Sequence, residues 1–307
     1  LEEEPVACLI TDAVWHFTQL VADSVKIPRI VLSTSSMSCL PVYAALTSLG
    51  EKDDFKTSIE EEWAPEFALM TKRDIKKIFN GESEESKLEL ISNLIKGTKA
   101  ASGMIVNKRS ISWLDIQPNN SVVYVSFGSV AQLGEAEFTN MAWGLANSKQ
   151  RFLWVIRLGS VSGSESLELL PKGFIEEVGE RGCIVKWAPQ QEVLAHQAIG
   201  AFWTHNGWNS TLESICEGVP MICSPCSYDQ PINARHVTDV WKIGVMLDNG
   251  INREETESTI KKVIVDKEGN EMRQRSKSLQ KKVNLSLKEG GSAQQSLKNL
   301  VDYIIHF

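Results

Sequence analysis

The feature that most constrains this chain is an alternation. From residue 121 onward the short apolar runs SVVYVSFGSV, FLWVIR, GCIVKW, GAFWTH, VPMICS and IGVML recur in order. Runs of this length and composition suit strands buried on both faces of a sheet. Helical periodicity fills intervals between them, at 134–148, QQEVLA, NSTLESICEG and PINARHVTDVWKI. Strand and helix in repeated succession call for a parallel sheet, because each crossover needs an element to carry the chain back. The expectation for 121–307 is a doubly wound α/β domain closed by two or three amphipathic helices. Gly290 and Gly291 mark the break before the last of these.

A shorter α/β piece precedes it. VACLIT and RIVLSTS read as strands around the helical pattern WHFTQLVADSVKI. DIKKIFNGESEESKLELISNLIKGTKAA is mostly helical in pattern, and GMIVN reads as a third strand. Three strands are few for a doubly wound sheet, so 1–107 is expected to be a partial domain. The stretch KRSISWLDIQPNN, at 108–120, is polar, carries Pro118, and reads as a shortened hinge-like linker. The start, LEEEPVACLITDAVW, has no methionine and enters a strand almost at once, so a lost beginning is expected.

Open α/β sheets bind ligands at the carboxyl ends of their strands. Three loops fall there: KWAPQ, THNGWNS and SPCSYDQ. In THNGWNS, Gly207 permits close backbone approach, and Asn209 and Ser210 stand where a helix begins. Free N–H groups and the helix dipole there suit an anion, with His205 as a further donor. The competing reading is an ordinary capped helix, since Asn and Ser are good caps. Glu213 lies about 6 Å further along the same helix face and suits a vicinal diol; a solvated surface glutamate is the alternative. Trp187 stacks on a planar base or packs in a core. Asp229 and Gln230 suit sugar hydroxyls or a turn before Pro231.

Between Lys186 and Arg235 there is no lysine or arginine, so any pyrophosphate held here relies on dipoles and neutral donors. The chain has no Asp-x-Asp pair to bridge a divalent ion. Its net charge of −7 argues against nucleic acid as the main partner. No apolar run is long enough to cross a bilayer. The six cysteines lack scaffold spacing and fit a reducing compartment, and the lone Cys223-x-x-Cys226 cannot complete a four-ligand zinc site. Cytoplasmic location is expected.

The 44 positions from Trp187 to Gln230, WAPQQEVLAHQAIGAFWTHNGWNSTLESICEGVPMICSPCSYDQ, resemble the signature box of plant family 1 UDP-sugar-dependent glycosyltransferases. SVVYVSFGS, GGSAQQSL and ACLITDAVWHFTQLVADSV also look like the family, within it the branch of steviol-glycoside and cytokinin glucosyltransferases. The resemblance implies a GT-B fold: two Rossmann-like doubly wound domains facing across a cleft, the N-terminal one incomplete here. The domains would be 1–107, binding an acceptor, and 121–307, binding the UDP-sugar, with terminal helices packing back toward the first. It implies that Trp187 stacks on uracil, Gln190 and Glu213 hold the ribose, and Ser129, His205, Asn209 and Ser210 hold the diphosphate. Trp208, Asp229 and Gln230 would hold the sugar, and Ala188 and Gly207 belong to the same site. Asn206 departs from the family's usual Cys or Ser, and all three are small.

The implied reaction, in plant secondary metabolism, moves glucose from UDP-glucose to a small hydrophobic acceptor such as a terpenoid, flavonoid or hormone, with inversion. No metal, cofactor, nucleic acid or membrane is implied, and a monomer is expected. The family's base is a histidine oriented by an aspartate, and Asp12 matches that aspartate. The histidine lies upstream in the family, before the point where this chain starts. His16 is not at its position and reads as a packed or surface residue, with a substitute base as the alternative. The direct join of VNKRSISWLD is shorter than the family's middle. A donor-binding fragment, inactive or regulatory, is therefore the second reading.

Overall fold

The computed structural model describes residues 8–12, 18–32, 108–128, 132–157, 161 and 170–305. The expected helical stretch after residue 73, the strand at 103–107, His16 and Ser129 lie outside the described residues.

The first part is a β-α-β unit. Strand β1 (Leu9–Asp12), helix α1 (Thr18–Val25) and strand β2 (Arg29–Leu32) follow one another. β1 and β2 pair in parallel, with Asp12 opposite Leu32, so Asp12 stands at the carboxyl end of its strand, where the sequence expects a functional aspartate.

Next comes helix α2 (Lys108–Asp115). The first part of the segment read as a linker, 108–115, is thus helical. Polarity suggested a linker, but Ser110 and Leu114, four apart, are both fully buried, and Leu114 packs in a core cluster with Val193, Leu194 and Phe202. A helix face of two or three residues suffices to dock so short a segment.

The remaining elements are β3 (Val122–Ser126), α3 (Glu135–Ser148), β4 (Arg151–Val155), α4 (Phe174–Val178), β5 (Gly182–Val185), α5 (Gln190–Ala195), β6 (Ile199–Thr204), α6 (Trp208–Glu217), β7 (Met221–Cys223), α7 (Gln230–Arg235), β8 (Gly244–Met246), α8 (Arg253–Ile264), α9 (Lys267–Leu287) and α10 (Ser292–Ile305). A short π-helical turn, His236–Val240, extends α7. All six apolar runs read from the sequence form strands. The five-residue helix α4 was not read, because one turn carries too little periodicity.

The strands form one parallel six-stranded sheet in the order β5-β4-β3-β6-β7-β8. The chain starts in the middle, winds out one way through β4 and β5, returns, and winds out the other way. All five residues of β3 are buried, and they alternate between two cores. Val123 and Val125 join Phe138, Met141, Leu145 and Ile260 on one face. Val122 and Tyr124 join Leu114, Leu194, Phe202 and Ile215 on the other. Burial on both faces explains the unbroken hydrophobic runs, and helices on both faces make the sheet doubly wound. The winding reverses between β3 and β6, so the carboxyl ends of these two strands open a crevice.

Candidate donor-sugar site

The loop after β6 sits in that crevice. His205 follows Thr204 directly and is only 8% exposed. Gly128, just past β3, holds φ at +65°, and a Cβ there would lie 2.6 Å from His205 Cε1. A Cβ on Gly207 would lie 2.6 Å from His205 Nε2. The imidazole is therefore clasped between two glycine backbones, one from each strand flanking the switch point. Only glycine satisfies both the left-handed backbone and the contact at 128.

Burial, together with the positive charge of Arg157, brings the His205 pKa down to about 4. The ring is neutral at physiological pH and acts as a neutral donor. The backbone N–H of Asn206 donates to Thr204 Oγ1 at 3.2 Å. Thr204 Oγ1 also lies 3.4 Å from His205 Nδ1; with the hydroxyl donating there, the ring hydrogen sits on Nε2.

Helix α6 starts at Trp208 with Gly207 as N-cap and no side-chain cap. Asn209 and Ser210 lie inside the first turn, so the capped-helix reading fails. Their N–H groups, the helix dipole and His205 Nε2–H gather at one helix start. Asn206 takes a left-handed φ of +61°, and its amide donates to Cys223 Sγ at 3.3 Å. Its side chain thus serves the floor beneath the loop. Burial pushes the Cys223 thiol up to about 12, and Cys226 bonds back to Ser224 O, so this pair does not present two thiolates to a metal.

One turn along, α6 meets α5. Gln190 Nε2 donates to Ser210 Oγ at 2.9 Å and to Glu213 Oε2 at 2.6 Å. Gln191 Nε2 reaches Glu213 Oε1 at 3.4 Å. The expected ribose pair, Gln190 and Glu213, is thereby brought together, and Gln191 joins it unforeseen. Trp187, at the end of β5, leaves 44% of its surface exposed. That excludes the core reading and leaves an apolar ring surface open at the carboxyl end of the sheet. Ala188 packs its side chain into the core.

The third loop follows β7. Asn233 Nδ2 donates to Asp229 Oδ2 at 2.9 Å and to the Asn206 carbonyl at 3.0 Å, tying this loop to the previous one. Burial raises the Asp229 pKa, and the Asn233 hydrogen bond offsets part of the rise. Gln230 Oε1 accepts from the N–H groups of Cys226 and Ser227 at 2.9 and 3.0 Å, which leaves its Nε2 for a ligand. Trp208, the first residue of α6, is partly buried.

Two further residues escaped sequence reading. Arg157 follows β4, thirty residues before the loops scanned for basic side chains, and the sheet brings its charge to His205. Tyr124, a phenol inside an apolar strand, reaches Gln190 Oε1 at 3.3 Å. In each case a polar group inside or just after a central strand of the sheet was the available signal.

Comparison with known proteins decides what this crevice belongs to. The family model described as UDP-glucoronosyl and UDP-glucosyl transferase matches residues 91–282. The chain belongs to this family. Among curated members, UDP-glycosyltransferase 76G1 of Stevia rebaudiana is 45% identical, over 99% of this chain and 75% of its own length. UDP-glycosyltransferase 76C4 of Arabidopsis thaliana is 39% identical over 100% of this chain and 77% of its own. The Stevia alignment runs over 348 positions, more than the 307 residues here, so it opens gaps in this chain. A solved UDP-glucose: anthocyanidin 3-O-glucosyltransferase in complex with UDP superposes with a TM-score of 0.82, covering 99% of this chain and 76% of that one at 24% identity. Phytolacca americana UGT2, complexed with UDP-2fluoro-glucose and pterostilbene, gives 0.71 at 27% identity over 97% of this chain and 75% of that one. The fold class is GT-B, and this family member is a glycosyltransferase.

Proposed function

We propose that this glycosyltransferase uses the crevice at the ends of β3, β5, β6 and β7 to bind UDP-glucose and transfers the glucose to a small hydrophobic acceptor with inversion. The observation that carries the reading is the uncapped start of α6 facing a neutral, buried His205. It is supported by a family relationship spanning nearly the whole chain and by UDP in the solved anthocyanidin enzyme.

The assignments follow the crevice outward. Trp187 stacks on the uracil. Glu213, with Gln190, holds the ribose diol. His205 Nε2–H, Ser129, Ser210, Asn209 and the first N–H groups of α6 hold the diphosphate. Trp208, Asp229 and Gln230 Nε2 hold the sugar. When the acceptor hydroxyl attacks C1 it gives its proton to the base that Asp12 orients, the bond to the diphosphate oxygen breaks, and negative charge grows on departing UDP. The fixed N–H donors of α6 and the nearby Arg157 charge stabilise that growth. This set of donors suits an anion directly, so the site is proposed to work without a metal. Residues 1–107 are proposed to form the acceptor side, with Asp12 orienting the base, and 121–307 the donor side with the terminal helices against the first. A cytoplasmic monomer is proposed; no helix among the described residues is long and apolar enough to cross a membrane.

The test is transfer itself. With UDP-glucose and a phenolic or terpenoid acceptor, the chain is expected to release UDP and form a β-glucoside, and Asp12→Ala to lower kcat at least a hundredfold. An α-linked product contradicts inversion. Turnover unchanged by Asp12→Ala contradicts the role given to that residue. Tight UDP binding with no transfer to any acceptor would favour the donor-binding reading instead.

A further inference from the structure

Tyr124 is 1% exposed, and its ring stacks on Phe202 of the neighbouring strand, centroids 5.0 Å apart and 16° from parallel. The phenol cannot turn away without opening the sheet's core. Its hydroxyl donates to Gln190 Oε1 at 3.3 Å. On the far side of Gln190 stands Glu213, and an ionised carboxylate only accepts. The Gln190 nitrogen must therefore face Glu213, and the oxygen must face Tyr124. Both amide hydrogens are then engaged, one on Glu213 Oε2 and one on Ser210 Oγ.

This has a consequence at the ligand. Ser210 Oγ already accepts from Gln190, so its own hydrogen is the part left to give, which is what a phosphate oxygen needs. Glu213 is oriented by two amides but keeps further lone pairs for hydroxyls. Polarity runs one way, from phenol to amide to serine hydroxyl. Burial holds the phenol well above its ordinary pKa, so it remains a donor across the physiological range.

We propose that Tyr124 is a positioning residue of the donor site. Through Gln190 it orients Ser210 as a donor to the diphosphate and Glu213 as an acceptor for the ribose, so that one buried hydroxyl couples the two subsites. The proposal rests on the reading of this crevice as a UDP-sugar site. Removing the hydroxyl leaves Gln190 Oε1 without its donor and frees the amide to rotate, which disturbs both subsites at once.

The experiment is titration calorimetry of UDP and of 2′-deoxy-UDP against the whole chain, as wild type, Tyr124→Phe, Gln190→Met and the double variant. One net hydrogen bond corresponds to about three- to tenfold in affinity. Tyr124→Phe is expected to weaken UDP by about that factor and to shrink the ratio of 2′-deoxy-UDP to UDP dissociation constants. The double variant is expected to be no weaker than Gln190→Met alone, because Tyr124 acts through Gln190. A residue that only supports the fold lowers Tm and leaves the deoxy ratio where it was. An unchanged ratio, or losses that add in the double variant, overturns the proposal. If Tyr124→Phe does not fold, Gln190→Met must itself shrink the ratio, and an unchanged ratio there is equally fatal. Wild type that fails to bind UDP refutes the donor-site reading itself, a result distinct from wild type that binds and a Tyr124→Phe variant that binds equally well.

Discussion

Between pH 6.5 and about 4, His205 takes up a proton in the unfolded chain but not in the folded one, because burial and Arg157 depress its folded pKa. The stability this contributes is present above pH 6.5 and is lost as pH falls through that window, up to about 3 kcal/mol. His205→Asn removes the titrating group. Its Tm is expected to fall less steeply than that of wild type between pH 6.5 and 4.5, followed by thermal melts across the range. Parallel curves would mean that His205 is not the neutral buried ring described. At this scale the residues named from the sequence, Trp187, His205, Ser210, Glu213 and Asp229, fall in or beside the loops at the carboxyl ends of β5, β6 and β7. Tyr124 and Arg157 were not legible, since each acts on a loop distant in sequence, and only the strand order joins them. The engagement of the Gln190 amide also escaped, because hydrogen-bond direction depends on three partners that no linear spacing reveals.

At the scale of elements, the pinch on His205 depends on the turn after β3. Gly128→Ala meets two obstacles: a left-handed φ of +65° and a ring atom 2.6 Å from the new Cβ. Gly290 shares the left-handed backbone, at φ +77°, but has nothing within 4 Å of a new Cβ. Both substitutions are expected to cost about 1–2 kcal/mol of backbone strain. Only Gly128→Ala is expected also to weaken UDP, by tenfold or more, as it drives His205 out of place. Calorimetry and melting curves on the pair check this; equal UDP affinity in both variants would detach the glycine clasp from binding. Strand positions were the most legible elements, because burial on both faces leaves uninterrupted Val, Ile and Phe. Helix α2 was the least legible: its polar surface hid the buried step from Ser110 to Leu114.

For the whole molecule, the order of winding decides the function. Strand runs in a sequence do not state which neighbours they choose, and the order β5-β4-β3-β6-β7-β8 is what places Gly128, His205 and Arg157 at one switch point. Family membership is written in the 44-position box, which lies within the matched residues 91–282. The central claim is that the carboxyl-end crevice is a UDP-sugar site. Isothermal titration of this chain with UDP tests it most directly, with Trp187→Ala alongside. Base stacking on an indole contributes about 1–3 kcal/mol, so wild type is expected to bind one UDP per chain and Trp187→Ala to bind it roughly five- to a hundredfold more weakly. Wild type giving no binding heat, or binding that Trp187→Ala leaves unchanged, would contradict it.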